Sequence, residues 1–357
     1  MTLRDQLRSK RLIVFLGTGG VGKTTIAAAS ALEASRTRRT LVLTIDPAKR
    51  LADSMGVKLG SEIVNVKPNL DALMLDTKAA LDALVRRYAN DSHTVQRIFQ
   101  SRFYEQLSDA FAGSEEFVAM GTLHDLLAYG GYETIIVDTP PSRHAIEFLR
   151  VNRKLIRVYE SGVVRYLFKP TRFLRLGGGY MAQVLARWTS SEYVNELAEF
   201  MTTFDQMFQD METRVRTMDT VLADPSRTAL NIVAAPEEES VPQTTRLYDE
   251  VTRTLALPVE SCIVNRYYPK LPHGGITERD ASALARHVHK PQQDVEQFLR
   301  EANVATRFYD LIAADHEKHA LRLRANLAGV EFLVVPALPG SVHDLAGLEN
   351  VREALFG

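Results

Sequence analysis

Residues 17–25 read GTGGVGKTT: Gly17, Thr18, Gly19, Gly20, Val21, Gly22, Lys23, Thr24 and Thr25. Gly17, Gly22, Lys23 and Thr24 fit the pattern G-x-x-x-x-G-K-[ST], which cradles phosphate when a strand precedes it and a helix follows. Both flanks are present. The apolar run Leu12 to Leu16 has the length of a buried strand, and the alanine-rich stretch Ile26 to Ser35 favours a helix. Glycines at these positions let backbone N–H groups turn inward around phosphate oxygens, and the helix N-terminus adds partial positive charge. Lys23 is then expected to reach the β- and γ-phosphates of a nucleotide. The Thr24 hydroxyl is expected to take one position on an octahedral Mg2+.

Outward from this loop, five more short apolar runs end on polar residues or proline. Leu41 to Ile45 ends on Asp46 and Thr134 to Val137 on Asp138; Ala229 to Ala234 ends near Pro236. Ser261 to Val264 ends on Asn265, and Phe332 to Val335 at Pro336. Continuous apolar strands alternating with helical stretches predict a parallel sheet covered on both faces, with the chemistry gathered at the carboxyl ends of the strands. An aspartate after a strand is often only a turn or capping residue. Beside a phosphate loop, Asp138 is expected to serve Mg2+ directly or from its second shell. Asp46 is expected to orient or deprotonate the attacking water.

The rest of the chain limits the alternatives. Its 357 residues suit one large α/β unit with an insertion or two domains. Lys and Arg total 43 against 44 Asp and Glu, so no net field draws it to nucleic acid, and neither that partner nor stable membrane insertion is expected. The single cysteine, Cys262, excludes an internal disulfide and any intrachain Cys-pair metal site. The opening MTLRDQLRSK is polar where a signal peptide is apolar, and a cytoplasmic location is expected. Spacing is helical from Asp76 to Tyr129 and again from Ile146 to Leu222. The second stretch carries an apolar stripe through Tyr193, Leu197, Phe200, Phe204, Met207, Met211, Val215, Met218 and Leu222. One long helix is expected there, after a flexible joint at Gly177 to Gly179.

The segments GTGGVGKTT, TIDPAKRLADSMG, IIVDTPPSRHAIEFLR, IVAAPEEESVPQTTRLYDE and CIVNRYY occur in an order and spacing that resemble the ArsA/Get3 group of dimeric P-loop ATPases, which belongs with MinD and ParA. The resemblance runs over nearly the whole chain. It implies an α/β parallel-sheet P-loop NTPase fold with an inserted α-helical subdomain. The core would be 1–75, 113–150 and 226–357, and the helical layer 76–112 and 151–225. It further implies ATP and Mg2+ as cofactors, Asp46 in a first switch and Asp138 in a second, and an adenine contact from Asn265 aided by the Pro339 loop. The run Asn265-Arg266-Tyr267-Tyr268 lacks a guanine-reading N-K-x-D, which favours ATP over GTP. The implied function is an ATP-hydrolysing dimeric switch that couples nucleotide state to a protein partner.

This chain departs from the group in two ways. The group's loop reads G-K-G-G-V-G-K-T, with an early lysine that crosses the dimer, and Thr18 stands in its place. Hydrolysis is therefore expected to be slow, or to need a partner that supplies the charge. The alternatives are a weak subunit completed by a lysine-bearing paralogue, giving a heterodimer rather than a homodimer, and a MinD-like positioning ATPase. The cysteines that bind zinc or metalloids in the group are also missing. Met181, Met201, Met207, Met211 and Met218, with Phe200, Phe204 and Phe208, suggest either an apolar client surface or ordinary packing against Val95, Phe99, Phe103 and Leu107. Packing is favoured for most of the stripe, with Met201 and Phe208 the better surface candidates. The pairs His287/His289 and His316/His319 are expected at the surface, while His144 is expected to report nucleotide state from the second switch.

Overall fold

A computed structural model of the chain describes residues 1–46, 50–89, 91–100, 104, 115–160, 210–270, 292–338, 340, 342 and 344–357. The strands are β1 (Leu12–Gly17), β2 (Thr40–Thr44), β3 (Val64–Lys67), β4 (Leu70–Met74), β5 (Thr134–Asp138), β6 (Thr228–Ala234), β7 (Val259–Tyr267) and β8 (Glu331–Pro336). They form one sheet in the order β3-β4-β2-β5-β1-β6-β7-β8. Every pairing is parallel except β3 with β4, which is antiparallel. The six expected strands are all present. The β3–β4 hairpin was not expected. It turns at Pro68 and Asn69, and Asn69 takes the left-handed φ of 63° that asparagine tolerates in tight turns.

Strand alternation sends Leu12, Val14 and Leu16 to one face and Ile13 and Phe15 to the other. On the second face lie helices α1 (Leu3–Ser9), α2 (Lys23–Ala34), α3 (Arg50–Met55) and the C-terminal helix Leu345–Phe356. The first face is covered by several further helices. They include α6 (Glu115–Tyr129), α7 (Ser142–Glu160), α8 (residues 210–223) and α9 (Ser240–Asp249), the last continued by a π-helical turn, Glu250–Thr254. The long helix α10 (Gln292–Asn326) closes on the same core through Leu323, with Leu327 just past its end. Phe15 and Phe148, fully buried on opposite sides of the sheet, each contribute about 1.5–3 kcal/mol by leaving water.

A third, smaller core joins α4 (Thr77–Tyr88) and α5 (Ser92–Gln100) to α6. It packs Leu81, Leu84, Val85, Ile98, Val118 and Met211. In the described half of the apolar stripe, Met211, Val215, Met218 and Leu222 are all buried, so these residues are packing. Met181, Met201, Met207, Phe200, Phe204, Phe208 and the triple glycine lie outside the described residues. Helix α7 runs without a break through residue 150, with Phe148 and Leu149 in the sheet core and Val151 and Leu155 packed on the smaller core.

Three other expectations meet the structure here. His319 is not at the surface: it is only 1% exposed, on the inner side of α10, with Nε2 3.2 Å from Asp315 one turn earlier. It shares the buried face of the helix with Leu323, one turn later, and a sequence spacing of three from His316 does not reveal that. Cys262 is buried within β7, and burial pushes its thiol up to about 12. Finally, no helix among the described residues is long and apolar enough to cross a membrane. The C-terminal helix (α11) keeps Leu348, Val351 and Phe356 buried on the α2 side of the sheet.

Candidate functional site

Strand β1 delivers the chain to Gly17, and α2 starts again at Lys23, so residues 17–22 form the loop between them. Two glycines are fixed by space. A Cβ at Gly17 would lie 2.3 Å from the Val233 carbonyl oxygen of β6. At Gly22, which caps α2 with φ 92°, it would lie 2.2 Å from Asn265 Nδ2. The loop thus sits tightly against the ends of β6 and β7, at the position where the strand order departs on both sides of β1. In open α/β sheets that is the crevice that takes ligands.

Lys23 is buried, and its Nζ donates to the Thr18 carbonyl at 2.8 Å. Burial pulls its pKa below the ordinary lysine value, against the opposing pull of Asp138 and Asp46. Register sets Asp138 of β5 opposite Thr44 of β2 on one side and Phe15 of β1 on the other. Its Oδ2 accepts from Thr24 Oγ1 at 2.8 Å and from Thr44 Oγ1 at 3.1 Å. Its Oδ1 is buried with no partner. Burial raises the Asp138 carboxyl to about 6, with Thr24, Lys23 and Thr44 working against that rise.

Asp46 follows β2, half-buried, and its N–H donates to Thr44 Oγ1 at 3.3 Å. Thr44 therefore ties the two strand-end aspartates together through one hydroxyl. Thr139, next to Asp138, donates to the Phe15 carbonyl at 2.7 Å and fixes β5 to β1. Asn265 Nδ2 donates to the Val21 carbonyl at 2.9 Å, bracing the loop from β7. Arg266 has a left-handed φ of 59°, and its Nη1 donates to the Gly20 carbonyl at 3.2 Å. A non-glycine residue held there costs on the order of 1–2 kcal/mol, and such strain gathers at functional positions.

The structure therefore brings together the loop 17–25, Asp46, Asp138 and Asn265 at the carboxyl ends of the interior strands. It also adds Thr44, Thr139 and Arg266, which sequence reasoning missed. Thr44 and Thr139 sit beside the expected aspartates in the runs TID and DTP, which is the one local signal for them. Arg266 reaches across 246 positions to its acceptor, and no local pattern announces that. Pro339 lies outside the described residues, although Ala337 N–H donates to the Tyr267 carbonyl at 2.9 Å and brings that segment to the end of β7. His144 is exposed on the first turn of α7, 3.3 Å from Glu116. Thr18 is buried, with its carbonyl engaged by Lys23.

The donor set suits a hard cation. A buried carboxylate oxygen without a partner lies on the same carboxylate that binds the Thr24 hydroxyl, and Mg2+ in phosphate sites is held by one or two such protein oxygens, with water and substrate completing the octahedron. Among the described residues no group of three or more His, Cys, Asp or Glu forms a dedicated metal cage.

A mostly parallel sheet, a phosphate loop at its switch point and a carboxylate bound to the loop threonine define a P-loop nucleotide-binding protein. Within that class, the chain belongs to the anion-transporting ATPase family, whose profile matches residues 10–297. Its relatives are named as arsenical pump-driving ATPases, as ATPase GET3 and as ATPase ASNA1 homologs. A Chlorobaculum tepidum protein, named provisionally as an arsenical pump-driving ATPase, is 26% identical over 284 residues, 75% of this chain and 64% of that protein. An Aquifex aeolicus protein with a similar provisional name is 26% identical over 361 residues, 97% of this chain and 79% of its own length. ATPase GET3 of Chaetomium globosum is 25% identical over 306 residues, 85% of both chains. The match to the Chlorobaculum protein, and likewise to that of Prosthecochloris vibrioformis, spans just under two thirds of the relative's length.

Proposed function

We propose that the chain binds MgATP at the loop 17–25, hydrolyses it slowly, and uses the nucleotide state of a dimer to control a protein partner. The observation that carries this reading is the position of Asp138. Its carboxylate is clamped by Thr24 of the phosphate loop and by Thr44 beside Asp46, and one buried oxygen is left over. When the carboxylate is ionised, a cation satisfies an oxygen in that state, and a nucleotide-bound Mg2+ would supply one. When bound, the ion neutralises charge on the β- and γ-phosphate oxygens.

In this reading Lys23 exchanges the Thr18 carbonyl for the β- and γ-phosphates. Gly17, Gly19, Gly20, Val21, Gly22 and Thr25 line the phosphates with backbone N–H groups, and Asn265, with the Pro339 loop, meets the adenine. Asp46 orients the water that attacks the γ-phosphorus and breaks its bond to the bridging oxygen. The link from Asp46 N–H through Thr44 to Asp138 gives the two switches a common hinge point, so that loss of the γ-phosphate is felt at both.

Coupling to a partner is supported by relatives whose provisional names describe them as driving an arsenical pump. The helical layer, 76–112 with 151–225, is the surface we assign to it, with an apolar client as the class of partner and the cytoplasm as the location. Thr18 favours a second reading: a weak subunit of a hetero-oligomer, completed by a lysine-bearing paralogue. Turnover alone, compared with turnover beside that paralogue, separates the two. The helix Leu345–Phe356 has its apolar side buried against the fold and offers none to a membrane, so it lends no support to a membrane-positioning role. The site itself is tested by isothermal titration of MgATP into Lys23→Ala: binding is expected to vanish with the fold intact, and wild-type affinity would remove the assignment.

A further inference from the structure

Away from the phosphate loop, α7 presents four cations on one ridge: Arg150, Arg153, Lys154 and Arg157, at helical spacings of three and four. Together with Thr254 and Leu255 they line a cavity of about 280 Å3, and among the described residues no carboxylate takes part in the lining. Like charges at these spacings weaken a helix. Nearby acids offset only part of that. Arg150 pairs with Glu250 and, at 3.8 Å, with Glu147; Lys154 pairs with Glu147; Arg153 lies 3.4 Å from Asp219. Arg157 has no ion-pair partner among the described residues. The acid pairs are partly exposed and therefore worth little, so an incoming anion displaces them at small cost.

The wall opposite the ridge is the end of the π-helical turn, Glu250–Thr254. One-turn π segments are rare and occur often at functional sites, because the extra residue re-aims the backbone. This turn falls just before β7 begins, at the amino ends of the strands. The ridge lies roughly 12–22 Å along α7 from its start near Asp138, so the cavity is distinct from the phosphate loop.

We propose that this cavity is a second ligand site, built for a compact, multiply charged anion bearing phosphate groups. Its volume holds about nine water-sized atoms, the size of a diphosphate and too small for a duplex or a protein helix. Three guanidinium groups supply the planar forks that match phosphate oxygens two at a time, and Lys154 adds a point charge. Thr254 offers a neutral hydroxyl at the same wall. A bound anion would also join α7, the helix that follows Asp138, to the segment entering β7.

The test is isothermal titration of sodium pyrophosphate, in magnesium-free buffer, into the full-length chain. The phosphate loop also accepts diphosphate, so Lys23→Ala provides the background that isolates the cavity. In that background one site per chain is expected, weakened at least fivefold by Arg157→Gln and further by Arg153→Gln with Arg157→Gln, and largely kept by Arg157→Lys. Affinity that ignores Arg157→Gln, or binding that is absent from Lys23→Ala altogether, overturns the site. Loss in both Arg157→Gln and Arg157→Lys points to damaged packing instead of lost charge and also overturns it. Citrate binding as tightly as pyrophosphate at equal ionic strength removes the phosphate assignment.

Discussion

Replacing Asp138 with Asn should change how the nucleotide-free chain responds to pH. The carboxyl titrates near 3.8 in an unfolded chain and at about 6 in the fold, chiefly because burial disfavours the charge. The folded state therefore holds the proton more tightly, and the stability this contributes is complete below pH 3.8 and lost as pH rises through about 6. That difference corresponds to about 3 kcal/mol by pH 7.5. Asparagine keeps one oxygen for Thr24 and Thr44 and does not titrate, so its own amide cost stays constant. Wild type should lose about 2–3 kcal/mol relative to Asp138→Asn between pH 4 and pH 7.5. For a chain of this length that moves the difference in Tm by about 3–4 °C. The assay is thermal unfolding of both proteins across that range without nucleotide. Saturating MgADP should stabilise the wild type more than Asp138→Asn at pH 7.5, because a bound cation favours the carboxylate that only the wild type carries. A Tm difference that stays flat with pH, or equal stabilisation of both proteins by MgADP, would refute the reasoning.

Other outcomes follow from the same site. Asp46→Asn should keep MgATP affinity within about threefold and lose most turnover, as seen by steady-state phosphate release; normal turnover would remove Asp46 from the chemistry. Thr18→Lys should raise turnover at least several-fold if two identical chains face each other, measured across protein concentrations, and an unchanged rate argues for a different natural partner; fast hydrolysis by the unmodified chain would show that no lysine in trans is needed. Arg266→Gly keeps the left-handed backbone free of strain while removing the guanidinium from Gly20, so stability should stay within about 1 kcal/mol while nucleotide affinity falls several-fold. Unaltered affinity in that variant would reduce Arg266 to a turn residue.

Much of this architecture was legible because two strong physical signals coincided. Runs such as Leu12 to Leu16 are buried on both faces and so read as unbroken apolar segments, and the glycine loop can stand only between such a strand and a helix. The hairpin of β3 and β4 escaped because it lies at the sheet edge, where half-exposed strands such as Val64–Lys67 mix polar and apolar residues without a run. In the site, Asp46 and Asp138 were legible as strand-end acids. What joins them was not: a shared Thr44 hydroxyl is a matter of register between β2 and β5, and register appears only when the strands pair. Asn265 was legible as a strand-end residue, but the bond by which its amide braces Val21 is a contact made across 244 residues, which no local pattern announces. His319 shows the same limit, since nothing in its neighbours distinguishes the inner side of α10 from the outer.

Cys262 has a practical consequence. The only thiol of the chain is sealed inside β7 and held at about 12, so at neutral pH it stays protonated and out of reach of maleimides or oxidants. The natural protein is in effect a blank background for thiol labelling, and any cysteine placed on its surface becomes the sole reactive one. A single label at an exposed position such as Arg8 or Tyr129 can then report, by energy transfer between chains, whether two copies meet when MgATP is added. The choice between a homodimer and a paralogue pair thereby becomes a distance measurement on a protein that needs no cysteine removed.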